Sequence, residues 1–122
     1  MLSDHHDRVR TIRDKFRTLD INEIASCFTD DVLVKYNQLE PISGKNALLA
    51  FLAPRYRILS EYQLEKRIVL SQGNEVCVEV IASYLNCENG KAYKSKIFEI
   101  LQFQGTLISR WEYVGHSEEI AR

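Results

Sequence analysis

The stretch Glu75-Val-Cys-Val-Glu-Val-Ile-Ala-Ser-Tyr-Leu-Asn86, then Cys87-Glu-Asn-Gly90, then Lys91-Ala-Tyr-Lys-Ser-Lys-Ile-Phe-Glu-Ile-Leu-Gln-Phe103 decides the fold. Two long runs rich in β-branched and aromatic residues flank Asn89-Gly90. That dipeptide is the strongest short hairpin signal, because a type I′ turn needs positive φ at both central residues. Working outward, Tyr62, Leu64, Lys66, Ile68 and Leu70 alternate with Gln63, Glu65, Arg67 and Val69, as a strand requires. Downstream, Gln104-Gly105 reads as a turn, Thr106 to Val114 as the last strand and Gly115 onward as a tail. Everything after residue 60 therefore reads as antiparallel sheet.

Upstream the period changes. Val9, Ile12, Phe16 and Leu19 recur at helical spacing behind a Ser3 or Asp4 cap. Asp20-Ile-Asn-Glu23 has the form of a capping box opening a short second helix. Ile24, Ala25 and Phe28 form its inner side, and Thr29-Asp-Asp31 ends it. Val32 to Tyr36 is a strand with Val32, Val34 and Tyr36 on one face. After a loop with Pro41 and Gly44, Ser43 caps a third helix with Ala47, Leu48, Phe51 and Leu52 inside and Pro54 at its end. Helices first and a long meander after them mean α+β, with helices covering one sheet face of a single domain spanning 1–122.

Composition removes several function classes. Sixteen basic residues balance seventeen acidic ones, for a net charge of −1. A nucleic-acid binder would show a basic excess, and the mildly basic first helix reads as a solvated face. No apolar run approaches the ~20 residues needed to span a bilayer, and Met-Leu-Ser-Asp-His-His-Asp-Arg is too polar for a secretory signal. Cys27, Cys77 and Cys87 are odd in number and form no C-x-x-C pair, so a reduced, cytoplasmic protein is expected. The His5-His6 pair lacks spaced partners and reads as solvated, as does His116. No metal spacing, phosphate loop or Ser/His/Asp arrangement is present.

Turns fix register, and register fixes which side chains share a face. With Asn89-Gly90 as a two-residue loop, Tyr84, Ala82, Val80 and Val78 face Ser95, Ile97, Glu99 and Leu101. With Gln104-Gly105 treated likewise, Glu99 faces Arg110 and Ile97 faces Glu112. Glu99, Arg110 and Glu112 then cluster on an otherwise apolar face, either as a structural ion pair or as a pocket with tuned carboxylates. Phe98, Trp111 and Tyr113 fall on the opposite, outer face.

The segments Asp20 to Val32, Pro41-Ile-Ser-Gly-Lys-Asn-Ala-Leu-Leu-Ala-Phe-Leu52 and Phe103 to Val114 resemble the nuclear transport factor 2-like superfamily, especially the SnoaL-like polyketide cyclases and the ketosteroid isomerases. The resemblance covers roughly residues 8 to 115. It implies a cone-shaped α+β barrel, a bent antiparallel sheet wrapped around the helices and enclosing an apolar pocket. It also implies a homodimer through the outer sheet face, where Phe98, Trp111 and Tyr113 are placed. Glu99 matches the position of the isomerase's oxyanion-stabilising acid; that enzyme's base would fall at Tyr36 or Lys35, which are not carboxylates. Limonene epoxide hydrolase, another relative, uses two carboxylates bridged by arginine, with a tyrosine and an asparagine holding water. Glu99, Arg110 and Glu112 with Tyr36 and Asn37 have that composition.

These readings imply a small apolar-molecule pocket protein: an acid/base isomerase, cyclase, dehydratase or hydrolase acting without metal or other cofactor. Glu99, Arg110, Glu112 and Tyr36 are its candidate catalytic residues. Asn37, Val80, Tyr84, Ile97 and Ile108 are its candidate ligand contacts. The alternative is a non-catalytic ligand-binding or association module of the same fold. Neither nucleic acid nor membrane is an expected partner.

Overall fold

A computed structural model describes residues 2–121, with side chains from residue 4. The order is α1 (Leu2–Arg17), α2 (Ile21–Ala25), β1 (Phe28–Tyr36), β2 (Ile42–Ser43), α3 (Lys45–Arg57), β3 (Leu59–Gln72), β4 (Glu75–Asn86), β5 (Ala92–Gln104) and β6 (Leu107–Ile120). The strands form one curved sheet in the order β2-β1-β6-β5-β4-β3. Helices precede the meander as expected, so the class is α+β. The sheet is mixed rather than purely antiparallel, because β1 runs parallel to β6. It is also open: β2 and β3 are its two edges, so the strands do not close into a barrel. None of the described helices is long and apolar enough to cross a membrane.

Local chemistry explains most element ends. Asp20 caps α2 by accepting the Asn22 N–H at 2.9 Å. The helix stops at Ala25, and Thr29–Asp31 belong to β1 rather than to its end. Helix α1 begins at Leu2, ahead of the expected Ser3 or Asp4 cap. Gly44, not Ser43, precedes α3, at φ +91°, a backbone that favours glycine. Helix α3 continues through Pro54 to Arg57. Residues 115–120 are not a tail: they extend β6 and pair with 92–97 of β5.

Val9, Ile12 and Phe16 of α1 and Leu48 and Leu52 of α3 are buried on the sheet's inner face. They meet Val32 and Val34 of β1, Val76, Val78 and Val80 of β4, Leu101 of β5 and Trp111 of β6 in one core. Each such side chain contributes about 1.5–3 kcal/mol through burial. Phe16 sits at the centre, edge-on to Phe28, Tyr56 and Trp111 with ring centroids 6.2, 6.0 and 6.1 Å away. His5, expected in solvent, is buried: its Nε2 donates to the Gly73 carbonyl at 2.7 Å and its ring stacks on Phe103. It pins the start of α1 to the β3–β4 turn.

Candidate functional site

Two register features decide what faces the interior. The β4–β5 loop spans four residues, so Leu85 faces Ala92, Ala82 faces Ser95 and Val78 faces Glu99. This differs by two residues from a two-residue Asn89-Gly90 turn and leaves every side chain on its expected face. The β5–β6 turn is Gly105-Thr106, with Gln104 opposite Leu107, another even shift. One further residue, Ser109, is then accommodated as a bulge between the Phe103–Ile108 and Gln102–Arg110 pairs. Its Oγ donates to the Gln102 carbonyl at 3.2 Å. An odd insertion turns over every side chain beyond it.

Arg110 and Glu112 therefore stand on the outer face, not beside Glu99. Arg110 lies 3.4 Å from Glu112, which also meets Lys35 at 3.9 Å, in a partly exposed surface cluster. Trp111 and Tyr113 turn inward. Trp111 is only 2% exposed, so the expected outer trio of Phe98, Trp111 and Tyr113 keeps only Phe98 outside.

Glu99 is buried, at 4% exposure, as the apolar face around it implied. Its partner is Lys66 of β3, whose Nζ lies 2.6 Å from Oε1. The lysine reaches across β4 over Val78 and Val80, which are short enough to let it pass. Trp111 Nε1 donates to the other oxygen at 3.1 Å. The ammonium also sits 5.4 Å from the Phe16 ring centroid, a favourable cation–π position. Both carboxylate oxygens and the ammonium are thus satisfied, as buried charge demands.

Toward the β4–β5 end lies a cavity of about 200 Å³. Tyr56, Tyr62, Tyr84 and Tyr113 line it, with Ile58, Leu59, Ala82 and Ile97 as apolar wall and Arg55, Asn86, Ser95 and Ser117 as further polar groups. Burial is the main cause that pushes the Tyr56, Tyr62 and Tyr113 hydroxyls above the ordinary tyrosine range; the negative charge of Glu99 adds to it in all three. Tyr36 lies behind this layer, stacked on Tyr113 at 3.9 Å between ring centroids. Burial raises it too, while a hydrogen bond from Tyr113 and the charge of Arg55 pull it partly back. At the rim, Tyr84 Oη donates to Ser117 Oγ at 3.2 Å, and Ser117 meets the buried Ser95 at 2.6 Å.

Of the expected ligand contacts, Tyr84 and Ile97 line this cavity. Val80 and Ile108 are buried in the core away from it. Asn37 closes the end of β1: its Oδ1 accepts the Gly115 N–H at 2.9 Å and its own N–H donates to the Tyr113 carbonyl at 2.7 Å. Lys66, Tyr56, Tyr62 and Tyr113 were not singled out as site residues, although Tyr62 and Lys66 alternate in phase along β3. A wider hollow of about 600 Å³ opens at the other end of the sheet, against His5, Gly73 and Phe103. Both ring nitrogens of His5 are engaged there, by the Gly73 carbonyl and by Arg8. Among the described residues, no group of three or more His, Cys, Asp or Glu side chains is placed to hold a metal ion.

Helices cover the inner face of a bent sheet with a polar-studded cavity between them, and the sequence matches the SnoaL-like domain over residues 9–111. This chain belongs to the SnoaL-like domain family. No curated protein matches it in sequence. A protein of Jannaschia sp. CCS1 classed as a SnoaL-like polyketide cyclase superposes with a TM-score of 0.79 at 11% identity, over 93% of this chain and 85% of that one. A Bacillus subtilis protein classed as an isomerase gives 0.78 at 14% identity, over 90% and 84%. An LEH-like epoxide hydrolase of M. tuberculosis gives 0.73 at 11% identity, over 90% and 80%. At these identities the likeness of the SnoaL-like chain to each is one of fold.

Proposed function

We propose that this SnoaL-like chain takes up a small, largely apolar molecule bearing an acceptor oxygen and promotes its isomerisation or cyclisation by hydrogen-bond donation from tyrosines. The observation that carries the reading is a cavity lined, among the described residues, by four tyrosines and no carboxylate. Its volume, about 200 Å³, is below the roughly 300 Å³ at the lower end of ligand pockets, so the molecule is small. Raised hydroxyls stay protonated at neutral pH, so Tyr56 and Tyr62 donate to a ligand oxygen, and Tyr113 does so when its hydroxyl rotates away from Tyr36. One donor preorganised toward a developing oxyanion is worth about 3–4 kcal/mol in the transition state.

The carboxylate expected to act as base is occupied: Lys66 and Trp111 take both oxygens of Glu99. Reactions whose substrate brings its own nucleophile fit such a site better than hydrolysis. In ring closure of an epoxy alcohol, the alcohol oxygen attacks the epoxide carbon and the C–O bond opens. A tyrosine proton goes to the departing oxygen, and the proton of the attacking hydroxyl replaces it on the tyrosine. The occupied Glu99 equally favours a second reading, binding without turnover. The test is conversion of an epoxy alcohol to the cyclic ether, followed by NMR with wild type, Tyr62→Phe and Tyr113→Phe. Turnover that falls in the variants supports the enzyme. Binding of the epoxy alcohol without conversion supports the second reading, and absence of binding overturns both.

We further propose that two copies pair through the outer sheet face, on a patch revised from the expected one. Phe98 and Val114 are cross-strand neighbours there, 44% and 68% exposed, and Ile81 and Ile100 stand beside them. Contiguous exposed apolar groups of this kind commonly mark an interface. Sedimentation analysis should report a dimer that Phe98→Glu dissociates; a monomeric wild type contradicts the proposal.

A further inference from the structure

Arg55 stands at the mouth of the same cavity and has no role in the chemistry above. It lies in the last turn of α3, one helical turn beyond Phe51. Its guanidinium carbon sits 3.8 Å above the Phe51 ring centroid and 5.8 Å from that of Tyr36. A guanidinium held over a ring by a cation–π contact keeps its N–H donors for a planar anion, which it can meet with two parallel hydrogen bonds. Arg13, Arg17 and Arg67 each hold a carboxylate. Arg55 holds none among the described residues.

Among the described residues, the cavity lining contains one cation and no acidic side chain. The nearest buried carboxylate, Glu99, is already compensated by Lys66 at 2.6 Å. The charge of Arg55 reaches inward as far as Tyr36, where it favours negative charge. An unopposed guanidinium at the entrance and tyrosine donors within suit a ligand with two different oxygen functions.

We propose that the ligand is a small apolar acid: its carboxylate is anchored by the Arg55 edge, its hydrocarbon body lies against Ile58, Leu59 and Ile97, and its acceptor oxygen points to the inner tyrosines. This rests on the cavity reading above and adds the acidic group to it. Arg55 is accordingly a specificity-determining residue that selects and orients, while the tyrosines meet the reacting oxygen.

The experiment compares cyclohexanecarboxylate, its primary amide and cyclohexanone by ligand-observed NMR titration, at low and high salt. The proteins are wild type, Arg55→Gln and Arg57→Gln. Arg57 shares the last turn of α3 and is exposed, but it does not line the cavity. It controls for net charge. The carboxylate is expected to bind wild type about tenfold more tightly than the amide, a preference typical of a charge-assisted contact. Arg55→Gln and added salt should erase that preference, Arg57→Gln should keep it, and cyclohexanone should bind all three proteins alike. If the acid shows no advantage over the amide, or keeps it in Arg55→Gln, the anchor is refuted while ketone binding leaves the cavity reading standing. If neither acid nor ketone binds, both fall. Circular dichroism of Arg55→Gln establishes that the fold is intact, as its exposed position leads one to expect.

Discussion

Lys66→Met would remove the only cation that faces Glu99 among the described residues. The ammonium is 2.6 Å from Oε1, with both side chains nearly sealed from water at 3% and 4% exposure. The stranded carboxylate would keep only the Trp111 N–H, 3.1 Å from its second oxygen. Breaking a buried pair from one side costs about 3–5 kcal/mol, because the remaining charge is uncompensated. A chain of 122 residues has a net stability of roughly 6–18 kcal/mol at about 0.05–0.15 kcal/mol per residue. The loss is thus a large fraction of the total, and the melting temperature should fall by roughly 10–20 °C. Glu99→Gln should cost a similar amount: its amide oxygen can still accept from Trp111, but the ammonium beside Phe16 is left bare. The double variant Lys66→Met/Glu99→Gln should recover to within about 2 kcal/mol of wild type, since replacing both members of a buried pair is often near neutral. Urea unfolding with an unchanged m value, arranged as a double-mutant cycle, measures the coupling. Additive single costs, or a Lys66→Met loss under about 1 kcal/mol, would refute the buried-pair reasoning.

Two further outcomes follow from the interior. Tyr36, Tyr56, Tyr62 and Tyr113 are raised when folded, so above pH 10 the unfolded chain ionises while the native one keeps its protons. The unfolded state then binds fewer protons, and stability falls by up to about 1.4 kcal/mol per tyrosine per pH unit, roughly 5 kcal/mol for four. Cys27, pushed up to about 11 by burial, starts the decline from pH 9. Urea midpoints across this range check the slope; tyrosinate absorbance showing these four ionised near pH 10 in a still-folded chain would contradict it. Gly115→Ala would place a Cβ 2.5 Å from Ile97 Cγ1 and 3.0 Å from the Lys96 carbonyl, backbone that cannot turn aside. It should cost about 1–3 kcal/mol by overpacking, read by thermal unfolding, and Ile97→Ala should recover part of it.

Most element types and the burial of Glu99 are legible because alternation over twelve-residue runs leaves one reasonable face assignment, whereas polar residues 115–120 read as a tail behind Gly115 although they are strand. Val78, Val80, Ala82, Ile97 and Leu101 fall where the pattern puts them. The two turns shift the register by even numbers, which costs nothing in facing. Ser109 was different: a bulge adds one residue, leaves no local mark as strong as Asn-Gly, and exchanges Arg110 and Glu112 for Trp111 and Tyr113 on the inner face. A signal did exist. Trp111-Glu-Tyr113 alternates apolar and charged, and burying its aromatics costs far less than burying its flanking charges. The true partner of Glu99 could not be read from pairing alone, because Lys66 reaches it across β4 rather than from a neighbouring strand. The parallel β1–β6 pairing was equally hidden, since it joins segments more than seventy residues apart.

Tyrosine hydroxyls in the cavity are proposed to polarise a ligand's acceptor oxygen. The carbonyl carbon resonance of carbon-13-labelled cyclohexanone, followed on binding to wild type, Tyr62→Phe and Tyr113→Phe, tests it most directly. Hydrogen bonding to a carbonyl draws electrons from its carbon, so the bound resonance in wild type should lie downfield of the ketone in water. It should move back in at least one of the two variants. A bound resonance matching the ketone in a hydrocarbon solvent, and identical in all three proteins, would mean that no tyrosine hydroxyl reaches the carbonyl.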